Sequence, residues 1–562
     1  MTTIINKKDK TYPEPFLNAL SYDTFMRKYS HTGCETWEDL CRVLVNDVVK
    51  DRLSKDDKND LIKYMCEMKF IPGGRYLYYA GRPVKFYNNC YLLRAEEDSR
   101  EDWANLSWKS ESALLTGGGI GCDYSIYRDS KQTVKRTGGK ASGPIPKMLM
   151  VDTIGRNVMQ GGSRRSAMYA SLNWQHGDIE QFLSIKDWHS MPVGDTGKTL
   201  WDIKQVDFNF PAPLDMTNIS VNYDTEWVED FLETGEAGDV FLRNVEQALL
   251  SGEPGFSFNF WDKENETLRN ACTEVTSEDD SDVCNLGSVN MARIRDISEF
   301  SHVVELGTYF LLCGTLEADL PYDKIRQVRE KNRRLGLGLM GVHDWLLQRG
   351  YKYEVTDELH SWLAVYRGVS TSSARRASET LSISTPKASR AIAPTGTIAM
   401  VAGTTGGIEP LYAVAYKRRY LTGSDKWKYQ YAVDSIAQTL IEHYDLDPNK
   451  IETASDLAVD YERRIKFQAD VQDYVDMSIS STINLPAKDK QTFTTEEFAT
   501  TLAKYAPRLR GFTCYPDGAR GGQPLTAVRY EDAVEKLGEE FDEHIEFNDS
   551  CEIGGKGGQC GI

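Results

Sequence analysis

The 562-residue sequence has no Cys-x-x-Cys pair, and its eight histidines are scattered along the chain. Structural zinc sites need closely spaced cysteine or histidine pairs, so we predict no metal site. No stretch has the apolar length of a signal peptide or of a membrane span. We therefore expect a cytoplasmic protein with no membrane partner, whose eleven cysteines form no structural disulfide framework.

Positive charge is also scarce. The chain has 84 acidic residues against 66 lysines and arginines, which gives a net charge of −18. Such an acidic chain is a poor candidate for binding along the phosphates of a nucleic acid, whereas a local basic site for a small phosphate stays open. Hydrophobic residues at 40% and charged residues at 27% are typical of a globular protein.

Several familiar motifs are missing or incomplete. There is no Gly-x-Ser-x-Gly, and residues 194–199 lack the spacing of a phosphate loop, so we predict a surface loop there. Residues 336–341 match Gly-x-Gly-x-x-Gly but follow a charged, helical segment, which favours a closely packed helix over a dinucleotide site. Glu299 and His302 form the single Glu-x-x-His, whereas a di-iron centre in a helical bundle needs two.

Three regions differ in composition. Residues 1–80 carry apolar side chains at helical spacing, which predicts an N-terminal helical region. From residue 81 to 525, short β-rich runs alternate with amphipathic helices and glycine clusters, and this pattern is typical of an α/β architecture with a parallel component. Residues 526–562 are acidic and then glycine-rich, so we predict a flexible C-terminal tail.

The most informative segment is Asn270-Ala-Cys272-Thr-Glu274. If it is extended, the three side chains project from the same face with a period of two. A carboxamide, a thiol and a carboxylate would then serve as orienting group, reactive sulfur and general base. These five residues alone favour a buried cysteine in an acidic loop, since a nucleophilic cysteine usually works with a histidine and none is nearby.

A series of motifs runs in order from about residue 70 to 560. The motifs are NNCYLL with Asn89 and Cys90, GGGIG, TGGKASGP, QGGSRRSA, TNISV, the Asn270–Glu274 segment with CNLGSVN, KNRRLGLGLMG, APTGTIAMVAGTTGGIEP, GFTCYPDGARGG and two C-terminal cysteines. In this order they resemble the large catalytic subunit of ribonucleotide reductases. The resemblance implies a ten-stranded α/β barrel of the ribonucleotide reductase and glycyl radical enzyme type. Two antiparallel halves would enclose a loop that carries Cys272.

The resemblance also implies catalytic roles. A thiyl radical on Cys272 would abstract the 3′-hydrogen of the ribose, Glu274 would take the 3′-hydroxyl proton, and Asn270 would hydrogen-bond the sugar hydroxyls. Cys90 and Cys284 match the pair that supplies two electrons and ends the turnover as a disulfide. Such a pair needs Cα atoms about 5.5–6 Å apart.

Further residues match binding and redox positions of the family. Cys551 and Cys560 resemble the tail pair that re-reduces the active site and is itself reduced by thioredoxin or glutaredoxin. Asn89 and the segment Pro394-Thr395-Gly396-Thr397-Ile398 resemble substrate-binding residues, the latter for its phosphates.

Regulation follows the same resemblance. Arg164 and Arg165 resemble part of a specificity loop for a dNTP or ATP effector, and Asp98, with Glu97 as a rival, resembles the acid that holds the effector's ribose. The N-terminal region is too short for an additional ATP-cone. Only about twenty residues separate GGGIG from TGGKASGP, too few for the insertion of the monomeric enzymes, so we expect a homodimer.

The residues around Tyr515 bear on the source of the radical. Two-component enzymes relay a radical from a ferritin-like subunit through two adjacent tyrosines, but here Tyr515 is followed by Pro516. This favours the adenosylcobalamin-dependent enzymes, with a divergent two-component enzyme as the alternative and an inactive nucleotide-binding relative as a third. Diphosphate substrates are favoured, and triphosphates stay open.

Overall fold

In the computed structural model, the described residues are 12–135, 137–158, 166–207, 210–421, 427–519, 525–537 and 540–542. The described strands are β1 (Phe70–Pro72), β2 (Cys90–Arg94), β3 (Gly119–Asp123), β4 (Met168–Asn173), β5 (Thr217–Tyr223), β6 (Gly255–Phe258), β7 (Leu268–Arg269), β8 (Thr276–Ser277), β9 (Asp282–Asn290), β10 (Leu335–Met340), β11 (Ala415–Leu421), β12 (Trp427–Val433), β13 (Thr482–Leu485), β14 (Gly511–Pro516), β15 (Leu525–Val528) and β16 (Glu540–Asp542).

The described α-helices are α1 (Ala19–Lys28), α2 (Trp37–Val49), α3 (Lys55–Cys66), α4 (Gly74–Tyr79), α5 (Arg100–Leu115), α6 (Pro144–Asn157), α7 (Ile179–Ser184), α8 (Leu200–Val206), α9 (Thr225–Thr234), α10 (Asp239–Ser251), α11 (Ile297–Glu317), α12 (Asp323–Asn332), α13 (Val342–Gln348), α14 (Asp357–Leu381), α15 (Gly396–Ala402), α16 (Ser435–Tyr444), α17 (Ala454–Leu457), α18 (Tyr461–Gln472), α19 (Thr495–Tyr505) and α20 (Tyr530–Glu535). None of them is long and apolar enough to cross a membrane.

A ring of ten extended segments forms the centre of the molecule. Strands β2 to β6 are parallel neighbours in chain order. Strands β9 and β14 pair antiparallel with the two ends of this half, and β10 and β13 pair parallel with them. Isolated bridges from Leu337 to Arg390 and from Ile392 to Ile479 close the ring. This topology confirms the ten-stranded α/β barrel with two antiparallel halves.

Alternation along the strands separates the barrel interior from the outer cores. In β3, for example, Ile120 and Cys122 lie in an outer hydrophobic core, so Gly119 and Gly121 face inward. One outer core packs against β2 to β6, and the other, which includes the N-terminal helices α1 to α3, packs against β9 and β10. Strand β1 extends the edge of β9 that β2 occupies.

The predicted helix at the Gly-x-Gly-x-x-Gly match is wrong. Residues 335–340 form strand β10, parallel to β9. Leu335, Leu337 and Leu339 enter the outer core, while an added Cβ at Gly336 would lie 2.2 Å from the Leu286 side chain. The glycines therefore leave room for a neighbouring strand and form no phosphate-binding turn. Residues 194–197 form an exposed turn, which confirms the surface loop predicted there.

A second sheet has the order β15-β11-β12-β16 and is antiparallel throughout. No sequence pattern predicted this sheet. Its strands β15 and β16, with helix α20 between them, show that ordered structure continues past residue 526, where the composition suggested that the tail begins. Residues 543–562, with Cys551 and Cys560, lie outside the described residues.

Candidate active site

A short hairpin carries the Asn-x-Cys-x-Glu segment. Strand β7 pairs antiparallel with β8, and residues 270–275 connect them. The N–H of Thr273 donates to the carbonyl of Asn270 at 3.0 Å, and Thr273 has a φ of +72°. The expected extended conformation is therefore wrong, because a tight turn with a left-handed residue reverses the chain here. Asn270 and Glu274 are fully buried and Cys272 is 8% exposed.

The hairpin crosses the barrel interior from one half to the other. A Cβ added to Gly121 would lie 1.8 Å from the Arg269 carbonyl oxygen, so only glycine lets the hairpin lie against β3. The amide of Asn218 in β5 donates to the Ala271 carbonyl at 3.4 Å. From the other half, the Ser478 N–H donates to the Glu274 carbonyl at 2.9 Å.

The predicted reducing cysteines are cross-strand neighbours. Cys90 of β2 and Cys284 of β9 are directly opposed in the antiparallel register. Opposed residues of antiparallel strands have Cα atoms about 4.5–5.5 Å apart, within the range of a disulfide. No disulfide joins the cysteines in the described part of the chain. The Asn270 amide nitrogen lies 2.8 Å from the Cys90 sulfur, and its oxygen accepts from the Val275 N–H at 2.9 Å.

Burial dominates the electrostatics of the site. It raises the pKa of Glu274 to about 7, and the nearby Asn270 amide offsets only part of this effect. Neither carboxylate oxygen of Glu274 has a donor in hydrogen-bonding geometry. The pKa of the Cys284 thiol is raised well above its usual value by burial and by the carboxylates of Asp282 and Glu274, while Arg334 lowers it. The site thus holds a carboxyl group that titrates near neutral pH beside two thiols.

Small and apolar side chains from both barrel halves surround the cysteine pair. The buried cluster consists of Cys90, Leu92, Leu268, Val275, Cys284, Leu286, Ala388, Ala391, Ala393 and Met477. The cluster therefore places the pair, the base of the hairpin and the segment that leads into residue 394 around one interior region.

The predicted phosphate segment follows directly from this cluster. Thr395 has a φ of +54° and precedes α15, and its hydroxyl oxygen accepts from the Gly407 N–H at 2.9 Å. A helix N-terminus exposes backbone N–H groups that suit an anion, here those of Gly396, Thr397 and Ile398. The carbonyl of Asn89 accepts from the Gly119 N–H at 2.9 Å, while its side-chain oxygen is buried without a hydrogen-bond partner.

The predicted effector residues are only partly placed. Asp98 lies in the loop between β2 and α5, where its carboxylate and its carbonyl both accept from the Arg128 side chain. Glu97 is exposed, and its N–H donates to Asp102. Arg164 and Arg165 lie outside the described residues.

Among the described residues, Asp129, His176 and Asp178 form a group with metal-binding geometry. Both nitrogens of His176 are already engaged. Nδ1 accepts from the Asp178 N–H at 3.0 Å, and Nε2 donates to the Tyr127 carbonyl at 2.7 Å. The group therefore serves to tie together the loops that follow β3 and β4.

Sequence reasoning missed three residues that hold the hairpin, which are Asn218, Ser478 and Arg334. Asn218 lies in TNISV, where Ile219 and Val221 enter the outer core, so period-two alternation was the available signal for an inward amide. Ser478 contributes its backbone, and no side-chain pattern marks such a contact.

Residues 88–199, 222–382 and 387–513 match the family model described as ribonucleotide reductase, barrel domain. The chain belongs to the ribonucleotide reductase family.

Relatives in this family are similar over most of the chain. A vitamin B12-dependent ribonucleoside-diphosphate reductase of Mycobacterium tuberculosis is 27% identical, over 84% of this chain and 74% of that protein. A protein of the same name from Thermoplasma acidophilum is 27% identical, over 84% of this chain and 66% of that protein. A putative adenosylcobalamin-dependent ribonucleoside-triphosphate reductase of Mycobacterium phage D29 is 26% identical, over 81% and 75%.

The fold has a solved counterpart. The class Id ribonucleotide reductase alpha subunit of Actinobacillus ureae superposes with a TM-score of 0.70 at 17% identity, covering 90% of this chain and 98% of that one. At this identity the likeness extends to the fold.

Proposed function

We propose that the chain is an adenosylcobalamin-dependent ribonucleotide reductase that converts ribonucleotides, preferably diphosphates, to 2′-deoxyribonucleotides. The observation that carries the proposal is the opposed pair of Cys90 and Cys284 inside the barrel, with Asn270 of the Cys272 hairpin in contact with Cys90. An enzyme of ionic thiol chemistry has no use for a buried dithiol at this place, and an inactive relative has no need to keep it.

The residues divide the reaction between them. The Cys272 sulfur, as a thiyl radical, removes the 3′-hydrogen of the bound ribose and returns a hydrogen atom at the end. Glu274, with a pKa of about 7, accepts the 3′-hydroxyl proton at neutral pH and returns it when the 3′-hydrogen is restored. The 2′-hydroxyl takes up a proton from one thiol of the cysteine pair and leaves as water. The thiols of Cys90 and Cys284 supply two electrons and two protons and become a disulfide, so the reduction balances.

The radical source fits a cofactor that brings its own metal. Tyr515 is buried in β14 and Pro516 follows it, so a second phenol for a relay is missing at this place. The hairpin needs no metal ligands of its own, since Cys272 is the group to be oxidised. When bound, adenosylcobalamin supplies the abstraction of the hydrogen atom from this thiol. The names of the relatives from Mycobacterium tuberculosis and phage D29 support this cofactor.

The decisive assay uses the purified chain with adenosylcobalamin, dithiothreitol and either CDP or CTP. We expect deoxycytidine nucleotide under air, with CDP the better substrate. Cys272→Ser should lose all activity because a serine O–H bond is too strong for hydrogen-atom exchange. Cys66→Ser, a half-buried cysteine of α3, is the matched control and should remain active. Activity that requires a ferritin-like partner in place of the cofactor would establish the two-component alternative.

A homodimer is part of the proposal. Helices α5 and α6 pack against each other and expose Trp108, Leu115, Leu149 and Met150, an apolar surface suited to a second copy. Met150→Glu should shift the sedimentation of the chain from dimer to monomer. Leu232→Glu, at an exposed leucine of α9, should leave the dimer intact. A monomeric parent chain would contradict this part of the proposal.

A further inference from the structure

Arg334 lies beside the cysteine pair at the entrance to β10. Leu335 pairs with Asn285 in the parallel register, so the preceding residue lies next to Cys284. Because Leu335 and Leu337 enter the outer core, Arg334 and Gly336 face the barrel interior. A Cβ at Gly336 would lie 3.2 Å from the Cys284 sulfur, and Arg334 is two residues away on the same face, 2% exposed.

The guanidinium of Arg334 joins the two ends of the Cys272 hairpin. Its Nε donates to the Asp282 carboxylate at 2.9 Å, and its Nη1 lies 3.5 Å from the Glu266 carboxylate. Glu266 precedes β7 and Asp282 follows β8, so one side chain bridges the segments on both sides of the hairpin. Both ion pairs are largely shielded from solvent, where electrostatic interactions are strong.

The same carboxylates also hold strand β8. The Thr276 hydroxyl donates to Glu266 at 2.8 Å, and the Ser277 hydroxyl donates to Asp282 at 2.6 Å. Arg510 adds a second cation to Glu266 at 3.0 Å. The position of the Cys272 turn therefore depends on a charge network in which Arg334 alone contacts both carboxylates among the contacts described.

One nitrogen of the Arg334 guanidinium makes no hydrogen bond. Its Nη2 is buried and has no hydrogen-bond partner, which is costly for a guanidinium donor. The charged groups that act on Cys284 are the carboxylates of Asp282 and Glu274, which oppose its thiolate, and Arg334, which favours it. An anion that forms on the Cys284 sulfur thus finds a cation with spare hydrogen-bonding capacity beside it.

We propose that Arg334 is a positioning residue with two tasks, fixing the Cys272 hairpin between Glu266 and Asp282 and stabilising Cys284 as a leaving thiolate when the cysteine pair is re-reduced. The catalytic meaning of both tasks rests on the proposed function.

In the re-reduction, a thiolate of an external dithiol attacks Cys90, the more exposed of the two cysteines at 4% against 1%. A new S–S bond forms to Cys90, the Cys90–Cys284 bond breaks, and Cys284 leaves as a thiolate that then takes up a proton. The second thiol of the dithiol releases Cys90 and closes the external disulfide. A cation beside the leaving sulfur accelerates this exchange.

The test compares Arg334→Met with Arg333→Met. Arg333 is the adjacent buried arginine, and its side chain donates to Ser384 and Thr315, away from the hairpin carboxylates. The Cys90–Cys284 disulfide is formed with diamide, and its reduction by dithiothreitol at pH 7 is followed by alkylation and mass spectrometry. Hydrogen exchange of residues 266–282 is measured on the same proteins.

We expect Arg334→Met to slow the reduction of the disulfide by about threefold or more, because loss of the cation raises the pKa of the leaving Cys284 thiol. It should also raise hydrogen exchange in the hairpin, while Arg333→Met changes neither quantity. Arg334→Lys keeps the cation but cannot reach both carboxylates. It should therefore restore the reduction rate to within about twofold of the parent while the hairpin still exchanges faster.

Two results would overturn the proposal. One is an Arg334→Met protein that matches Arg333→Met in both measurements, and the other is an Arg334→Lys protein that is reduced as slowly as Arg334→Met. Circular dichroism establishes that the variants compared are folded. Neither readout needs nucleotide or cofactor, so a chain without reductase activity would refute the proposed function and still give a result for Arg334.

Discussion

Cys90 and Cys284 are directly opposed across the antiparallel pair of β2 and β9, and the strand register alone places their side chains on the same face. Both strands lie within the barrel wall, where hydrogen bonds to further strands fix them on each side. A disulfide can therefore form here without rearrangement of the backbone.

This geometry predicts the product state of the enzyme. One turnover with adenosylcobalamin and CDP, in the absence of a reductant, should leave a disulfide between Cys90 and Cys284 and about one deoxynucleotide per chain. Peptide mapping by mass spectrometry identifies the pair. The Cys272→Ser protein should show no such disulfide, and a disulfide that joins other cysteines would contradict the assignment.

The raised pKa of Glu274 predicts how activity depends on pH. As a base with a pKa of about 7, it is ionised above neutrality, so kcat should rise with pH and level off above about 8. Glu274→Gln should lose this rise together with nearly all activity. A parent profile that stays flat between pH 6 and 8 would exclude Glu274 as the base that limits the rate.

Glu274 also predicts a pH-dependent stability. Its ordinary pKa of 4.5 holds in the unfolded chain, while the folded value is about 7, so the folded state binds more protons between these values. Stability should thus fall as the pH rises from about 4.5 to 7. Glu274→Gln has no such titrating group. Relative to the parent, its free energy of unfolding should therefore increase by on the order of 3 kcal/mol over the same pH range, because one pKa unit corresponds to about 1.36 kcal/mol. Urea unfolding at pH 5 and pH 8 measures the difference.

The close approach of the hairpin to Gly121 predicts that this position of β3 requires glycine. Gly121→Ala should displace the hairpin, because the new methyl group collides with the Arg269 carbonyl, and should cost about 1–3 kcal/mol together with most of the activity. Gly368→Ala is the control, since no atom lies within 4 Å of its added Cβ in helix α14. That change should raise stability by up to about 1 kcal/mol. Thermal unfolding and the reductase assay report both effects.

The tail cysteines predict a difference between reductants. Cys551→Ser and Cys560→Ser should each lose activity with thioredoxin and keep it with dithiothreitol, because a small dithiol enters the site directly. Equal loss with both reductants would count against the tail assignment. Cys66→Ser again provides the control.

Much of the site was predictable because short sequence motifs contain its reactive residues. The Asn270–Glu274 segment, Cys90 and Cys284 could be found from residue type and order, and the structure brings them together. The conformation of the segment could not be found in this way. A period of two suggested an extended chain, but the turn depends on Thr273 in a left-handed conformation, which tertiary contacts of the hairpin impose.

The misread strand β10 has a different cause. Leucine and glycine alternate in this strand with a period of two, which is a strand pattern. The charged helix α12 ends only a few residues earlier, and the helix prediction carried its pattern past that end. Arg334 was equally hidden, since its partners Glu266 and Asp282 lie 68 and 52 residues away in sequence. Contacts across such distances leave no local pattern.

The small sheet that contains β16 holds the last described residue before the C-terminal cysteines. The pairing of β16 with β12 anchors the chain at Asp542, and Cys551 follows nine residues later. An extended chain spans at most about 3.6 Å per residue, so the Cys551 Cα lies within about 32 Å of the anchor. If Cys551 and Cys560 re-reduce the barrel cysteines as proposed, insertions after residue 542 should lower their effective concentration at the barrel roughly as the −3/2 power of the segment length.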